Sequence, residues 1–130
     1  MKLGQETASH PDIKELLWLR INQAPERIFQ AAIQVLDVST ELENREVALA
    51  DKAGELLTTT QPNEGYPAVP LIDGKTEAIR KAQLCALTEH ERMVVRAQQV
   101  VVERAKIGLR LEQDRFSAAK ALVRLLEEKD

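Results

Sequence analysis

Residues 75–127 read KTEAIRKAQLCALTEHERMVVRAQQVVVERAKIGLRLEQDRFSAAKALVRLLE. These fifty-three residues contain no proline, and Gly108 is their only glycine. An apolar row recurs at helical spacing: Ile79, Ala82, Ala86, Met93, Ala97, Val100, Ile107, Leu111, Ala118, Leu122 and Leu125. The simplest reading is one helix over about 75–127, with Asp73 as its N-cap. The β-branched runs at 94–95 and 100–102 favour strands on their own, but no turn residues bracket them.

Working upstream, residues 61–74 hold three of the five prolines and two of the five glycines. They read as a connector, longer than most helix–helix loops. Its apolar residues, Tyr66, Val69, Leu71 and Ile72, predict that it packs as an ordered flap, with a short strand around 69–72. Before it lies a second helical arm over about 12–60, with Ser9 as a candidate N-cap and Pro11 near the first turn. Ile28, Ala32, Val35, Leu42, Leu49, Ala53 and Leu56 form its main stripe. Phe29, Ile33, Leu36, Val47, Ala50 and Leu57 form a flanking row. Pro25 either kinks or breaks this arm.

The two arms match in length, at ~73 and ~80 Å if helical throughout. The predicted fold is therefore all-α: one long antiparallel helical hairpin forming a single domain, with residue i facing roughly residue 135 − i. That register puts Trp18 near Phe116 and residues 33–38 opposite 95–102. Charge supports it. Residues 1–74 carry six basic and twelve acidic side chains, and residues 75–130 carry twelve and nine, within a net charge of −3. An acidic arm lying along a basic arm favours antiparallel docking.

Composition narrows the class. Of 130 residues, 44% are hydrophobic and 30% charged, which suits a folded chain. Only four aromatics occur, which argues against a sandwich or barrel. The longest apolar runs are four residues, far short of the ~20 of a membrane span. No signal peptide is apparent. The single cysteine, Cys85, cannot form an intrachain disulfide, so a cytoplasmic setting is expected.

A lone hairpin has too little interior for this sequence. Successive helical side chains point ~100° apart. Leu16, Leu17, Trp18 and Leu19 therefore nearly circle their helix, and the valines at 100–102 cover more than one neighbour can bury. The expected solution is self-association into a helical bundle, with Leu16, Leu17, Trp18, Leu19, Val94, Val101 and Val102 at the oligomer interface.

Motifs for chemistry are weak. Gly74-Lys75-Thr76 resembles the end of a phosphate-binding loop, but the glycine required five residues earlier is Val69. A helix-entry turn is the better reading. Glu43 and Glu46, with Asp51 and Glu55, are similar to the carboxylates of helical nucleotide pyrophosphohydrolases. The second arm offers only Glu112 and Asp114, which do not share a helix face. His10 and His90 lack a partner at metal-ligand spacing, and Cys85 reads as a packing residue. No catalytic residue, metal or cofactor is assigned, and an enzyme is not expected. Arg92, Arg96 and Arg110 are the candidates for contacting nucleic acid. Many basic residues of this arm have carboxylates nearby, as with Glu89 and Arg92, Glu103 and Lys106, and Glu112 and Arg115.

Residues 73–84, Asp73-Gly74-Lys75-Thr76-Glu77-Ala78-Ile79-Arg80-Lys81-Ala82-Gln83-Leu84, resemble a helix opening of small uncharacterised phage and prophage proteins, which usually carry asparagine at the position of Thr76. Glu91-Arg92 and residues 111–116 are in keeping with them. The resemblance covers about residues 70–125 and implies a helical hairpin, sometimes encoded near recombination or replication genes. It implies no catalytic residue. The expectation is a self-associating scaffold or accessory protein acting through protein–protein binding. The alternative is a nucleic-acid-associated accessory factor of recombination or replication.

Overall fold

The computed structural model describes residues 12–129; the candidate cap Ser9, Pro11 and His10 lie outside them. The first arm is a single helix, α1 (Ile13–Thr58), which runs through Pro25 without a break. Proline removes one backbone donor and crowds the carbonyl four residues back. Here packing on both sides of the ring holds the helix: Leu17 and Ala24 are buried, and Ile21 and Ile28 are half-buried, all at 3–4 spacing. Pro25 itself faces solvent. Of the two alternatives at Pro25, a kink or a break, the break does not occur. At the other end, hydroxyls take over the carbonyls that a finishing helix leaves unpaired. Thr58 Oγ1 donates to the Glu55 carbonyl at 3.0 Å and Thr59 Oγ1 to the same oxygen at 2.7 Å.

The connector is a β-hairpin rather than a loop with one strand. β1 (Thr60–Asn63) and β2 (Tyr66–Pro70) pair antiparallel, with Thr60 opposite Pro70, Gln61 opposite Val69 and Asn63 opposite Tyr66. The register slips by one residue between Gln61 and Asn63, leaving an extra residue on β2. Pro62 and Pro67 are tolerated because both strands are edges. Gly65 closes the turn at φ 75°.

A two-stranded sheet is marginal alone, and this one is tied down. Ile72 is buried, and Val69 and Leu71 are half-buried, as the flap reading requires; Tyr66 is 74% exposed and does not fit it. Gln61 Nε2 donates to Asp73 Oδ2 at 3.0 Å, and Gln83 Nε2 to Asp73 Oδ1 at 2.8 Å. Gly74 N–H donates to Gln83 Oε1 at 2.9 Å, and Arg80 Nη1 to the Gly74 carbonyl at 3.0 Å. A Cβ at Gly74 would come within 2.5 Å of Ile79 Cγ2 and 3.0 Å of Arg80 N. Glycine is needed there for close approach.

The second arm is two helices, α2 (Glu77–Leu87) and α3 (Glu89–Lys129), not one. Its N-cap is Thr76, whose hydroxyl accepts from Ile79 N–H at 3.2 Å; Asp73 serves the glutamine network instead. The arm divides at Thr88, which is 3% exposed. Thr88 leaves helical geometry at φ −109°, ψ 17°. Its hydroxyl and its N–H both donate to the Leu84 carbonyl, at 2.8 and 3.1 Å. Beyond it, residues 94–95 and 100–102 are helical and Gly108 does not interrupt α3.

The chain forms two compact units. One comprises residues up to Leu36 together with those from Arg104 onward; the other is 37–103. In the first, Leu17, Ala119 and Val123 form the buried cluster, flanked by Ile21 and Leu126. In the second, Leu56, Ile72, Val95 and Val102 are buried, and Gln98 Nε2 donates to the Val38 carbonyl at 2.9 Å. Leu17 against Ala119 and Val38 beside Gln98 reproduce the antiparallel register within about a residue. Phe116 is one turn off expectation: it lies with Arg20 and Ala24, while Trp18 lies with Lys120 and Val123.

Candidate functional site

α3 carries two apolar faces. The inward one follows Val95, Gln98, Val102, Ala105, Leu109, Glu112, Phe116, Ala119, Val123 and Leu126, all buried or half-buried. The row that the sequence presents as the apolar stripe points the other way. Met93, Val100, Ile107, Leu111, Leu122 and Leu125 are 48–60% exposed. Val100 and Val102 lie about 160° apart around the helix, so a neighbour that covers one face leaves the other open. The inward face also carries the small residues Ala105, Gly108 and Ala119; Ala105 and Gly108 border an open cleft with Ala31 of α1. In α1 the main stripe turns inward except at Ala32, which is exposed; in the flanking row Ile33 is half-buried, while Phe29, Leu36, Val47 and Leu57 stay exposed.

This geometry sorts the residues expected at an oligomer interface. Leu17, at 6% exposure, and Val102, at 4%, are already buried within the chain and belong to its own core, a correction to their assignment. Leu16, Trp18, Leu19 and Val101 are exposed, and Val94 is half-buried. Leu17 points inward while its neighbours in sequence are rotated about 100° to either side. Trp18 borders an open cleft of about 240 Å³, shared with Ile21, Lys120, Val123, Arg124 and Glu127. A second cleft, of about 440 Å³, runs over Ala31, Ala105 and Gly108 and is rimmed by Glu26, Arg27, Gln30, Gln34 and Glu112.

The three arginines proposed for anions have different surroundings. Arg92 turns back on the α2–α3 junction and donates through Nη2 to the Cys85 carbonyl, where it caps the end of α2. Its Nε is buried with no hydrogen-bond partner among the described residues. Arg96 and Arg110 are exposed and have no ion-pair partner among those residues. Arg115 pairs with Glu112 at 3.5 Å, and Lys120 Nζ sits 4.4 Å over the Phe116 ring.

Among the described residues no group of three or more His, Cys, Asp or Glu side chains is placed to hold a metal ion. Glu43, Glu46, Asp51 and Glu55 are exposed along α1. His90 borders a shallow cleft with Arg45, Ala48, Glu91 and Val94, and Cys85 is half-buried in α2. Thr76 acts as a helix cap, in agreement with the helix-entry reading of Gly74-Lys75-Thr76. No helix among the described residues is long and apolar enough to cross a membrane. No protein-family model matches the chain, nor does any curated protein or solved structure.

Proposed function

We propose that the chain is a self-associating helical module that acts through protein–protein contacts, as a scaffold or accessory protein. One observation carries the reading: the outward face of α3 leaves Met93, Val100, Ile107, Leu111, Leu122 and Leu125 about half exposed, while only eight apolar side chains are buried among the described residues. Burying a Leu, Ile or Met fully is worth about 1.5–3 kcal/mol, so six half-exposed ones withhold about 5–9 kcal/mol. That rivals the whole stability of a typical domain, about 5–15 kcal/mol. A partner surface recovers this energy; water does not. The test is thermal unfolding at two concentrations. An obligate assembly gains stability with concentration by mass action, and Tm should rise by about 5 °C over a hundredfold increase. A Tm independent of concentration would contradict the reading.

The exposed, unpaired Arg96 and Arg110 favour a second reading, a nucleic-acid-associated accessory factor. Its test is oligonucleotide binding at low salt. Affinity should fall steeply as salt rises and weaken in Arg96→Gln/Arg110→Gln; no binding of single- or double-stranded DNA or RNA would remove it.

A further inference from the structure

The outward face of α3 is an unbroken 3–4 row at positions 93, 97, 100, 104, 107, 111, 114, 118, 121 and 125, and every one of these residues is exposed. In order they read M, A, V, R, I, L, D, A, A, L. Eight are apolar. The two exceptions, Arg104 and Asp114, have opposite charges, and neither has an ion-pair partner among the described residues. They are equidistant from position 109, which is also the midpoint of the row. We infer that this face is a two-fold interface with a second copy of the chain, α3 against α3, antiparallel, with the two-fold axis crossing at the level of position 109.

This deepens the self-association reading and rests on it. In an antiparallel seam, position i of one copy faces the position of the other whose number sums with it to 218. Ile107 then meets Leu111, Met93 meets Leu125, and Arg104 meets Asp114 twice, once on each side of the axis. A symmetric contact of this kind must be self-complementary. A parallel seam would instead set Arg104 against Arg104 and Asp114 against Asp114, burying like charges. Polar residues in an otherwise apolar seam are a known device for fixing register and orientation at some cost in stability. The partner is therefore another α3 rather than an arbitrary apolar helix, because its own apolar row supplies the acid and the base at the matching spacing. Ten seam positions with the residues beside them approach the about 20–30 residues per side of a standard interface.

The test is sedimentation of charge-reversed full-length chains, with helicity checked by circular dichroism. Arg104→Glu alone and Asp114→Arg alone should each weaken dimerisation at least tenfold, since each sets like charges together. The double variant should recover the wild-type dissociation constant within about threefold. An equimolar mixture of the two single variants should recover it too, because each then supplies the charge the other lacks. The mixture also guards against misfolding, since an unfolded variant cannot be rescued by a partner. Single variants that dimerise as tightly as the wild type, or a mixture that fails to recover, overturn this interface while self-association stands. A wild-type chain that stays monomeric at every concentration overturns both.

Discussion

Gly74→Ala and Gly108→Ala make the same change and should have opposite effects. At Gly74 the new methyl would sit 2.5 Å from Ile79 Cγ2, 3.0 Å from Arg80 N and 3.0 Å from Gln83 Oε1. Ile79 can rotate, but the Arg80 backbone and the Gln83 amide are held by Thr76 and Asp73. Relieving the contact pushes Gln83 away and weakens the bond from Gly74 N–H, at about 1 kcal/mol. Overpacking adds to this, for a loss of about 1–3 kcal/mol in all. At Gly108 the added methyl finds nothing within 4 Å. There the only effect is helix propensity, a gain of about 0.5–1 kcal/mol. Urea unfolding at one fixed protein concentration reads both. With m near 2 kcal/mol/M, Gly74→Ala should lower the midpoint by about 1 M and Gly108→Ala should raise it by about 0.3 M. Equal midpoints for Gly74→Ala and the wild type would show that the glutamine–aspartate network does not depend on the close approach at Gly74.

Two further substitutions separate core from junction. Leu17→Ala removes a side chain packed with Ala119 and Val123 and should cost about 2–3 kcal/mol in urea unfolding; Leu19→Ala, at an exposed site, should cost less than half of that per chain. Arg92→Met keeps the aliphatic stem but loses the donor to the Cys85 carbonyl. It should lower stability by about 1 kcal/mol and speed hydrogen exchange at the Thr88 and Arg92 amides. Unchanged exchange there would mean the guanidinium does not hold the junction.

Helical arms, their antiparallel order and their register were readable from residues because each rests on a strong local signal. Two stretches show 3–4 periodicity, and prolines and glycines gather between them at 61–74. The hairpin was half visible: prolines at 62, 67 and 70 mask strands that only an edge position tolerates. The division at Thr88 has no breaker residue to mark it. What accompanies it is a buried threonine outside helical geometry that bonds back to Leu84, and the burial is seen only in three dimensions. The facing of α3 is not legible from the sequence for a physical reason. The row with the larger apolar side chains looks like the core. The inward row, with Gln98, Ala105, Gly108, Glu112 and Ala119, looks poorer, yet its members are the buried or half-buried ones. Rotation around the helix separates buried Leu17 from exposed Leu16, Trp18 and Leu19, which composition alone treats alike.

Sedimentation equilibrium of the wild-type chain at micromolar concentration tests the central claim most directly, that the outward apolar face of α3 is covered by another molecule of the protein. The account predicts a well-folded species of at least twice the 14.6 kDa chain mass, dissociating on dilution. A folded species of 14.6 kDa at every concentration up to about 100 µM would contradict it, because the half-exposed row from Met93 to Leu125 would then be facing water.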